Sequence, residues 1–233
     1  MSLLAHISHG ALRANLAGAA VAGSVVDVRA DAWGHGAIAV AAAALAAGAT
    51  AVIADERDRE PLAAAGITGG RVRFHGAPTV DPRRIYGLAE QSTPVMRLSG
   101  SVLSTKRLLA GEGVSYGYLY RAPTDTHVAL VSGGYAQGIV RAVGGAAYVL
   151  LGGSRCPIRG RVAMDVCVVE IGTEDVGAMD IGAVDVERGD DAWFFGDPAT
   201  GAPAVAEWTA ATGMTAAEIV TAIGLHSPRE YVA

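Results

Sequence analysis

The chain changes its pattern near Thr93, and this division limits the possible folds more than any other feature. Before that point helix-like and strand-like segments alternate in the order β-α-β-α-β, which predicts a parallel sheet. Over residues 95–195 short apolar runs are separated by Gly, Pro, Asp and Thr, a pattern typical of antiparallel β structure. We expect an α/β domain over residues 1–94 and a β domain with two closing helices over residues 95–233.

The apolar periodicity predicts individual elements in both parts. In the first part we expect helices over residues 9–20, 37–47 and 59–65, and strands over residues 25–29, 51–54, 71–74 and 85–88. In the second part we expect strands over residues 114–121, 127–132, 146–151, 162–171 and 192–195, and helices over residues 203–212 and 215–223. Residues 30–36 are expected to form a polar loop after the first of these strands.

Composition excludes several classes of protein. With 51% hydrophobic and 18% charged residues the chain is not disordered. A net charge of −5 without a basic cluster argues against nucleic acids and anionic membranes as partners. Cys156 and Cys167 are too few for a disulfide scaffold, so we expect a reduced, cytoplasmic setting. Residues 1–7 show no signal peptide, and we interpret the uncharged, alanine-rich residues 37–54 as a buried helix and strand rather than a membrane span.

Five motifs resemble those of one known family. Residues 25–37 (VVDVRADAWGHGA) resemble the signature of alanine racemases, which in that family ends the first barrel strand. Similar matches follow in order at residues 111–117 (GEGVSYG), 134–138 (GYAQG, with Arg141), 157–165 (PIRGRVAMD) and 228–231 (PREY). Residues 86–88 (YGL) look like the last barrel strand. The resemblance covers residues 6–60 and 80–232.

The resemblance implies a pyridoxal phosphate (PLP) enzyme that interconverts L- and D-alanine. The family fold is an eight-stranded α/β barrel followed by a β domain, and two chains pair head to tail so that each site uses the partner's β domain. A barrel lysine holds PLP, which acts as an electron sink. A tyrosine from the partner is the second acid/base, since racemisation needs bases on both faces of a planar intermediate.

This chain departs from the family at the PLP anchor. The position matching the lysine is Arg29, whose guanidinium stays protonated and has no free amine to react with an aldehyde. Lys106 is the only lysine in the sequence, and it matches a segment before the β domain rather than the barrel mouth. We therefore expect that this chain holds no PLP.

The barrel is also short. A complete α/β barrel takes about 250 residues, whereas about 95 precede the β domain here, so the resemblance implies a truncated barrel whose middle strands are missing. We expect the resulting open sheet to be rearranged or to be covered by another chain.

Other cofactor positions differ or survive only as remnants. The family positions for phosphate and ring contacts correspond to Trp33, Val80, Pro82, Val166 and Ala217, none of which supplies the expected group. Trp33, His35 and Tyr86 mark the vestigial cofactor-binding region. No histidine pair has zinc spacing, and we expect no metal site. The acidic residues Asp180, Asp185, Glu187, Asp190 and Asp191 are interpreted as a solvated loop rather than a calcium site.

The β-domain half of the family site is intact. Tyr116 matches the acid/base tyrosine, and Tyr135, Met164 and Asp165 match positions for substrate access and binding. Both tyrosines are equally well interpreted as structural, and His35 as part of an inherited turn that bonds locally.

Three hypotheses follow. The first is a degenerate racemase homologue with little or no PLP-dependent activity. The second is a binding or assembly module whose β domain pairs with itself, as a homodimer, or with a complete racemase. The third is an enzyme with altered chemistry in a remodelled cleft.

Overall fold

A computed structural model describes residues 3–172 and 185–233 in two compact units. The β unit contains the described residues of Met1–Ala5, Arg97–Ile219 and His226–Pro228. The α/β unit contains His6–Met96, Val220–Leu225 and Arg229–Ala233. Each unit is built from segments distant in the sequence: the C-terminal helix is divided between the two, and the C-terminal strand belongs to the α/β unit.

The elements follow in chain order. The first part contains β1 (Leu4–Ser8), α1 (His9–Gly18), β2 (Val25–Asp27), α2 (Arg29–Trp33), α3 (Ala37–Ala46), β3 (Ala51–Ile53), α4 (Arg59–Ala64), β4 (Val72–Arg73) and α5 (Pro82–Ile85). The remainder contains β5 (Met96–Leu108), β6 (Gly113–Val114), β7 (Tyr120–Arg121), β8 (Thr126–Ser132), β9 (Tyr148–Leu151), β10 (Ser154–Arg159), β11 (Val166–Gly172), β12 (Asp191–Phe195), α6 (Val205–Thr212), α7 (Ala216–His226) and β13 (Arg229–Val232).

The α/β unit contains a three-stranded parallel sheet in the order β2-β3-β4. The central strand β3 is apolar, and all residues of β2 and β3 are buried, as expected for a parallel sheet. The outer edge of β2 is covered by the segment around Thr79, which donates its N–H to the Val25 carbonyl at 3.0 Å. The Val25 N–H in turn donates to Thr79 Oγ1 at 2.9 Å. This segment occupies the edge at which another strand would pair.

The β unit is built around a closed antiparallel barrel. Six strands follow one another in the order β12-β9-β10-β11-β8-β5, and β12 also pairs with β5. Closure removes the unpaired edges of these strands. Inward-facing side chains alternate along β11, where Cys167, Val169 and Ile171 are buried. Helix α6 packs on the barrel through Trp208, which makes edge contacts with the rings of Phe194 and Phe195.

The predicted α/β layer followed by an antiparallel β domain is confirmed. Helices α1, α3 and α4 lie where the periodicity placed them. Residues 37–54 form a helix and a buried strand, but the helix is buried on one face only, with Ile38 42% exposed on the other. No helix within the described ranges has the length and apolar character needed to cross a membrane.

Several predicted elements are wrong in detail. Residues 85–88 do not form a strand, because Asp81 caps helix α5 and Pro82 occupies its first turn, a strong helix start. The expected strand over residues 114–121 is a hairpin of β6 and β7 around a tight turn. Strands β1, β5, β10 and β13 were not predicted. In the acidic stretch Asp180 lies outside the described residues.

Candidate functional site

The segment after β2 forms one turn of left-handed helix instead of the expected polar loop. Ala30, Asp31, Ala32 and Trp33 have φ between 52° and 55°. This conformation costs about 1–2 kcal/mol per residue for side chains other than glycine. Hydrogen bonds hold the turn: the Ala30 N–H donates to Asp55 Oδ2 at 2.7 Å, and the Ala37 N–H donates to Asp31 Oδ1 at 2.8 Å.

Strand β13 holds the same turn from the other end of the chain. The Arg229 guanidinium forms a salt bridge with the Asp31 carboxylate and donates to the Gly34 carbonyl at 3.1 Å. A Cβ atom at Gly36 would lie 2.0 Å from the Tyr231 hydroxyl oxygen. The turn therefore needs both a glycine and the C-terminal motif, which explains why these two matched segments occur together.

Arg29 begins this turn, and Asp27 binds its guanidinium at two points. Nε donates to Asp27 Oδ1 at 2.8 Å, and a terminal nitrogen donates to Oδ2 at 2.6 Å. The Asp27 side chain is 7% exposed and that of Arg29 is 43% exposed. The hydrogen bond that the Arg29 side chain donates to Asp27 raises the pKa of Arg29 above its ordinary value. Position 29 is thus a permanently charged, paired cation.

Trp33, His35 and Tyr86 form one aromatic cluster. The Tyr86 ring centroid lies 4.7 Å from that of His35 and 5.2 Å from that of Trp33. Tyr86 is fully buried, and its hydroxyl donates to the Asp27 carbonyl at 2.6 Å. Burial raises the pKa of Tyr86 well above its ordinary value. The hydrogen bond of this hydroxyl is therefore made to the backbone at the end of β2.

His35 is buried without a full set of partners. Its Nδ1 lies 3.0 Å from the carbonyl oxygens of both Ala32 and Trp33, so we assign the proton to Nδ1. Its Nε2 is buried without a hydrogen-bond partner among the described residues. Burial lowers the pKa of His35 to about 4. The residue is a neutral imidazole inside the turn.

In the β unit, Tyr116 stands on the turn between β6 and β7. Tyr116 is 67% exposed to solvent. The preceding Ser115 has φ 63° and donates its hydroxyl proton to the Arg161 carbonyl. A Cβ at Gly160 would lie 2.8 Å from the Ser115 Cβ, so the turn and the segment after β10 are in close contact.

Met164 and Asp165 lie beside Tyr116, and Tyr135 is anchored to the same segment. A cavity of about 590 Å³ is lined by Lys106, Tyr116, Tyr118, Arg161, Met164 and Asp165, among others. The turn that carries Tyr135 is bonded to the segment before β11, since the Tyr135 N–H donates to the Ala163 carbonyl at 3.0 Å. The four residues matched in the β domain are therefore held by one set of loops.

A polar network behind Tyr116 was not identified from the sequence. The Tyr120 hydroxyl donates to Glu170 Oε1 at 3.1 Å, and Arg159 Nε donates to Glu170 Oε2 at 2.6 Å. Burial, and then the charge of Glu170, raises the pKa of Tyr120. The network links β7 to β10 and β11. The alternation of β11 contains a signal for it, because Glu170 is an acidic residue within an otherwise apolar strand.

The described residues were expected to contain no metal site, and their possible metal ligands are dispersed. Within residues 3–172 and 185–233, no group of three or more His, Cys, Asp or Glu side chains is placed to hold an ion. Cys156 and Cys167 are buried thiols, and burial raises their pKa values to about 11 and about 12.

A parallel α/β unit whose first strand ends in a glycine-dependent turn, together with a six-stranded barrel carrying an exposed tyrosine, defines a two-unit α/β and β-barrel protein. The family model for the alanine racemase C-terminal domain matches residues 95–231, more than half of the chain. The chain therefore belongs to the alanine racemase family.

Curated relatives and solved structures agree with this assignment. The chain is 37% identical over 155 residues to an alanine racemase of Frankia casuarinae, covering 66% of this chain and 37% of the relative. It is 40% identical over 128 residues to that of Mycobacterium bovis, covering 55% of this chain and 31% of the relative. The alignments thus span about a third of the length of these relatives.

The solved structures show the same fold. The alanine racemase of a D-cycloserine-producing Streptomyces lavendulae matches with a TM-score of 0.83 at 24% identity, covering 100% of this chain and 97% of that one. The Bacillus anthracis alanine racemase with bound L-Ala-P matches with a TM-score of 0.82 at 17% identity, covering 100% of this chain and 95% of that one.

The family is PLP-dependent, and the residues of this chain do not fit that cofactor's anchor. Arg29, at the position that the resemblance assigns to the cofactor's lysine, is a guanidinium paired with Asp27. The hydroxyl of Tyr86 is bonded to a backbone carbonyl, and the indole of Trp33 has no hydroxyl.

Proposed function

We propose that this chain is an alanine racemase homologue that does not turn over alanine by itself. The observation that carries the proposal is the two-point bond between Asp27 and Arg29 at the anchoring position. A guanidinium has a pKa above about 12, so it neither reacts with an aldehyde nor accepts a proton near neutral pH. The α/β unit, with three parallel strands, supports interpretation as a truncated barrel.

The test combines spectroscopy with trapping. Purified protein mixed with PLP at one equivalent is expected to show no aldimine absorbance and no borohydride-trapped adduct by mass spectrometry. The variant Lys106→Arg has no lysine and serves as the matched control for reaction at the exposed Lys106. A complete racemase is the positive control. A stoichiometric adduct on the native chain, or racemisation of alanine by it, would overturn the proposal.

A second function is supported by the surface of the β unit. We propose that this surface pairs with the α/β unit of a second chain, either another copy or a complete racemase. Five large side chains around or near the cavity are exposed: Tyr116, Tyr118, Leu119, Tyr135 and Met164. Exposed apolar groups clustered at one place are typical of interaction surfaces. In such a pair Tyr116 is offered to the partner.

The proposed association between chains can be tested with one variant and one matched control. Leu119→Glu changes a residue that is 68% exposed and directly follows Tyr118, which lines the cavity, whereas Leu109→Glu changes one that is 46% exposed and whose sequence neighbours do not line it. Size-exclusion chromatography with light scattering, alone and with a complete racemase, is expected to show a complex that Leu119→Glu weakens and Leu109→Glu leaves intact. If the native chain is monomeric and does not bind the complete racemase, this function is ruled out.

A further inference from the structure

Asp27 is the nearly buried member of the pair at the end of β2. It follows two valines, and its side chain is 7% exposed. A carboxylate in such a position is destabilising unless it is paired and hydrogen-bonded. Both of its oxygens are bonded to one residue, Arg29, through Nε, a terminal nitrogen and the backbone N–H, which donates to Oδ1 at 3.0 Å.

From this arrangement we infer that Asp27 is a second determinant of the missing amine chemistry, acting on whatever cation stands at position 29. The inference rests on the proposed loss of the PLP anchor and adds a residue to it. In a lysine with the rotamer of Arg29, the ammonium nitrogen falls near the position of the guanidinium carbon, facing both Asp27 oxygens. A nearly buried carboxylate favours the charged form of its partner. The nitrogen then has no lone pair to attack a carbonyl carbon.

A second aspartate–arginine pair in the same chain allows the effect of carboxylate burial to be compared. Asp81 and Arg83 have the same spacing and the same pattern, with the Arg83 N–H donating to Asp81 Oδ1 at 3.0 Å and a terminal nitrogen donating to Oδ2 at 2.7 Å. This second pair is exposed, with side-chain exposures of 37% for Asp81 and 65% for Arg83. Solvent screens such a pair strongly. Burial of the carboxylate is thus the main difference between the two sites.

The experiment measures the reactivity of single amines by reductive methylation with formaldehyde and cyanoborohydride at pH 7, followed by peptide mass spectrometry. The variants are Arg29→Lys, Arg29→Lys with Asp27→Asn, and Arg83→Lys. The native Lys106 is the internal reference in each. We expect the new lysine at position 29 to react about tenfold more slowly than Lys106, corresponding to one pKa unit. The lysine at position 83 should react at a rate close to that of Lys106.

Two further readouts separate protonation from access. Asp27→Asn should raise the rate at position 29 by about tenfold. With Asp27 intact, raising the pH to about 11 should narrow the tenfold difference from Lys106 to about threefold. An amine that is slow because it is inaccessible stays slow at high pH, which would overturn the inference. Equal rates at positions 29 and 83 with Asp27 intact would also overturn it, and that comparison needs no change at Asp27. Either failure leaves the proposed function of the native chain standing, since that chain carries Arg29.

Discussion

Arg229 and Asp31 form a salt bridge across 198 positions of sequence, joining the last strand to the left-handed turn after β2. The same guanidinium bonds the Gly34 carbonyl. Both side chains are 25% exposed. Because the turn contains four strained residues, this bond is a main stabilising contact of the segment that the family signature encodes.

Removing that guanidinium should destabilise the α/β unit. Arg229→Ala leaves the Asp31 carboxylate and the Gly34 carbonyl without this donor, and we expect a loss of about 1–3 kcal/mol. Urea unfolding followed by circular dichroism measures it. Arg83→Ala, which removes an exposed pair, should change stability by less than about 1 kcal/mol. Equal effects of the two substitutions would contradict the assigned role of Arg229.

Stability should fall as the pH drops through the range in which His35 titrates in the unfolded chain. The pKa of His35 is lowered from 6.5 to about 4 by burial, so the folded state favours the neutral form. The stabilisation is fully present above about pH 6.5 and is lost as the pH falls toward 4. The difference amounts to about 3 kcal/mol.

Unfolding free energies of the native chain and His35→Asn at pH 7, 6, 5 and 4 test this expectation. Asparagine keeps a donor for the Ala32 and Trp33 carbonyls but does not titrate. The variant should show a shallower pH dependence. Parallel curves for the two proteins would show that His35 is not the titrating group.

Gly36 should resist substitution for two separable reasons. Its φ is 99°, and an added Cβ would meet the Tyr231 hydroxyl oxygen at 2.0 Å but its ring carbon Cζ only at 3.2 Å. We expect Gly36→Ala to cost about 2–4 kcal/mol, combining backbone strain with overpacking. Adding Tyr231→Phe should recover part of that loss.

The control for strain alone is Gly66→Ala. Gly66 has φ 77°, and no atom lies within 4 Å of its added Cβ. Thermal unfolding should show a loss of about 1 kcal/mol there. A Gly36→Ala variant no less stable than Gly66→Ala would show that the contact with Tyr231 is not limiting.

Glu170 should control the ionisation of Tyr120. Glu170→Gln removes the negative charge that, after burial, raises the pKa of Tyr120. We expect the pKa to move down toward its ordinary value, measured by ¹³C NMR of the tyrosine Cζ resonances. The substitution also leaves Arg159 without its carboxylate partner and should cost about 1–3 kcal/mol. An unchanged Tyr120 titration would show that the charge of Glu170 is not felt at the hydroxyl.

The sequence predicted the larger organisation because periodicity reports which faces of a segment are apolar. It placed α1 and α3, and it indicated the family through short motifs. It did not predict α5, because the Tyr86 region was interpreted through the family's strand and the helix signals of Asp81 and Pro82 were not weighed. It also missed β5 and β10, whose polar residues break the apolar pattern.

The proposed loss of amine chemistry follows from the sequence alone. An arginine at position 29 is a permanent cation in any fold, since its pKa exceeds about 12. The tertiary structure decided what surrounds that cation: the nearly buried Asp27 that holds it, and the strained turn that Arg229 and Tyr231 stabilise. Asp27 and Arg29 are only two positions apart, but the burial of Asp27 and the contacts of Arg229 and Tyr231 with the turn depend on the packing of distant segments, which no local pattern in the chain encodes.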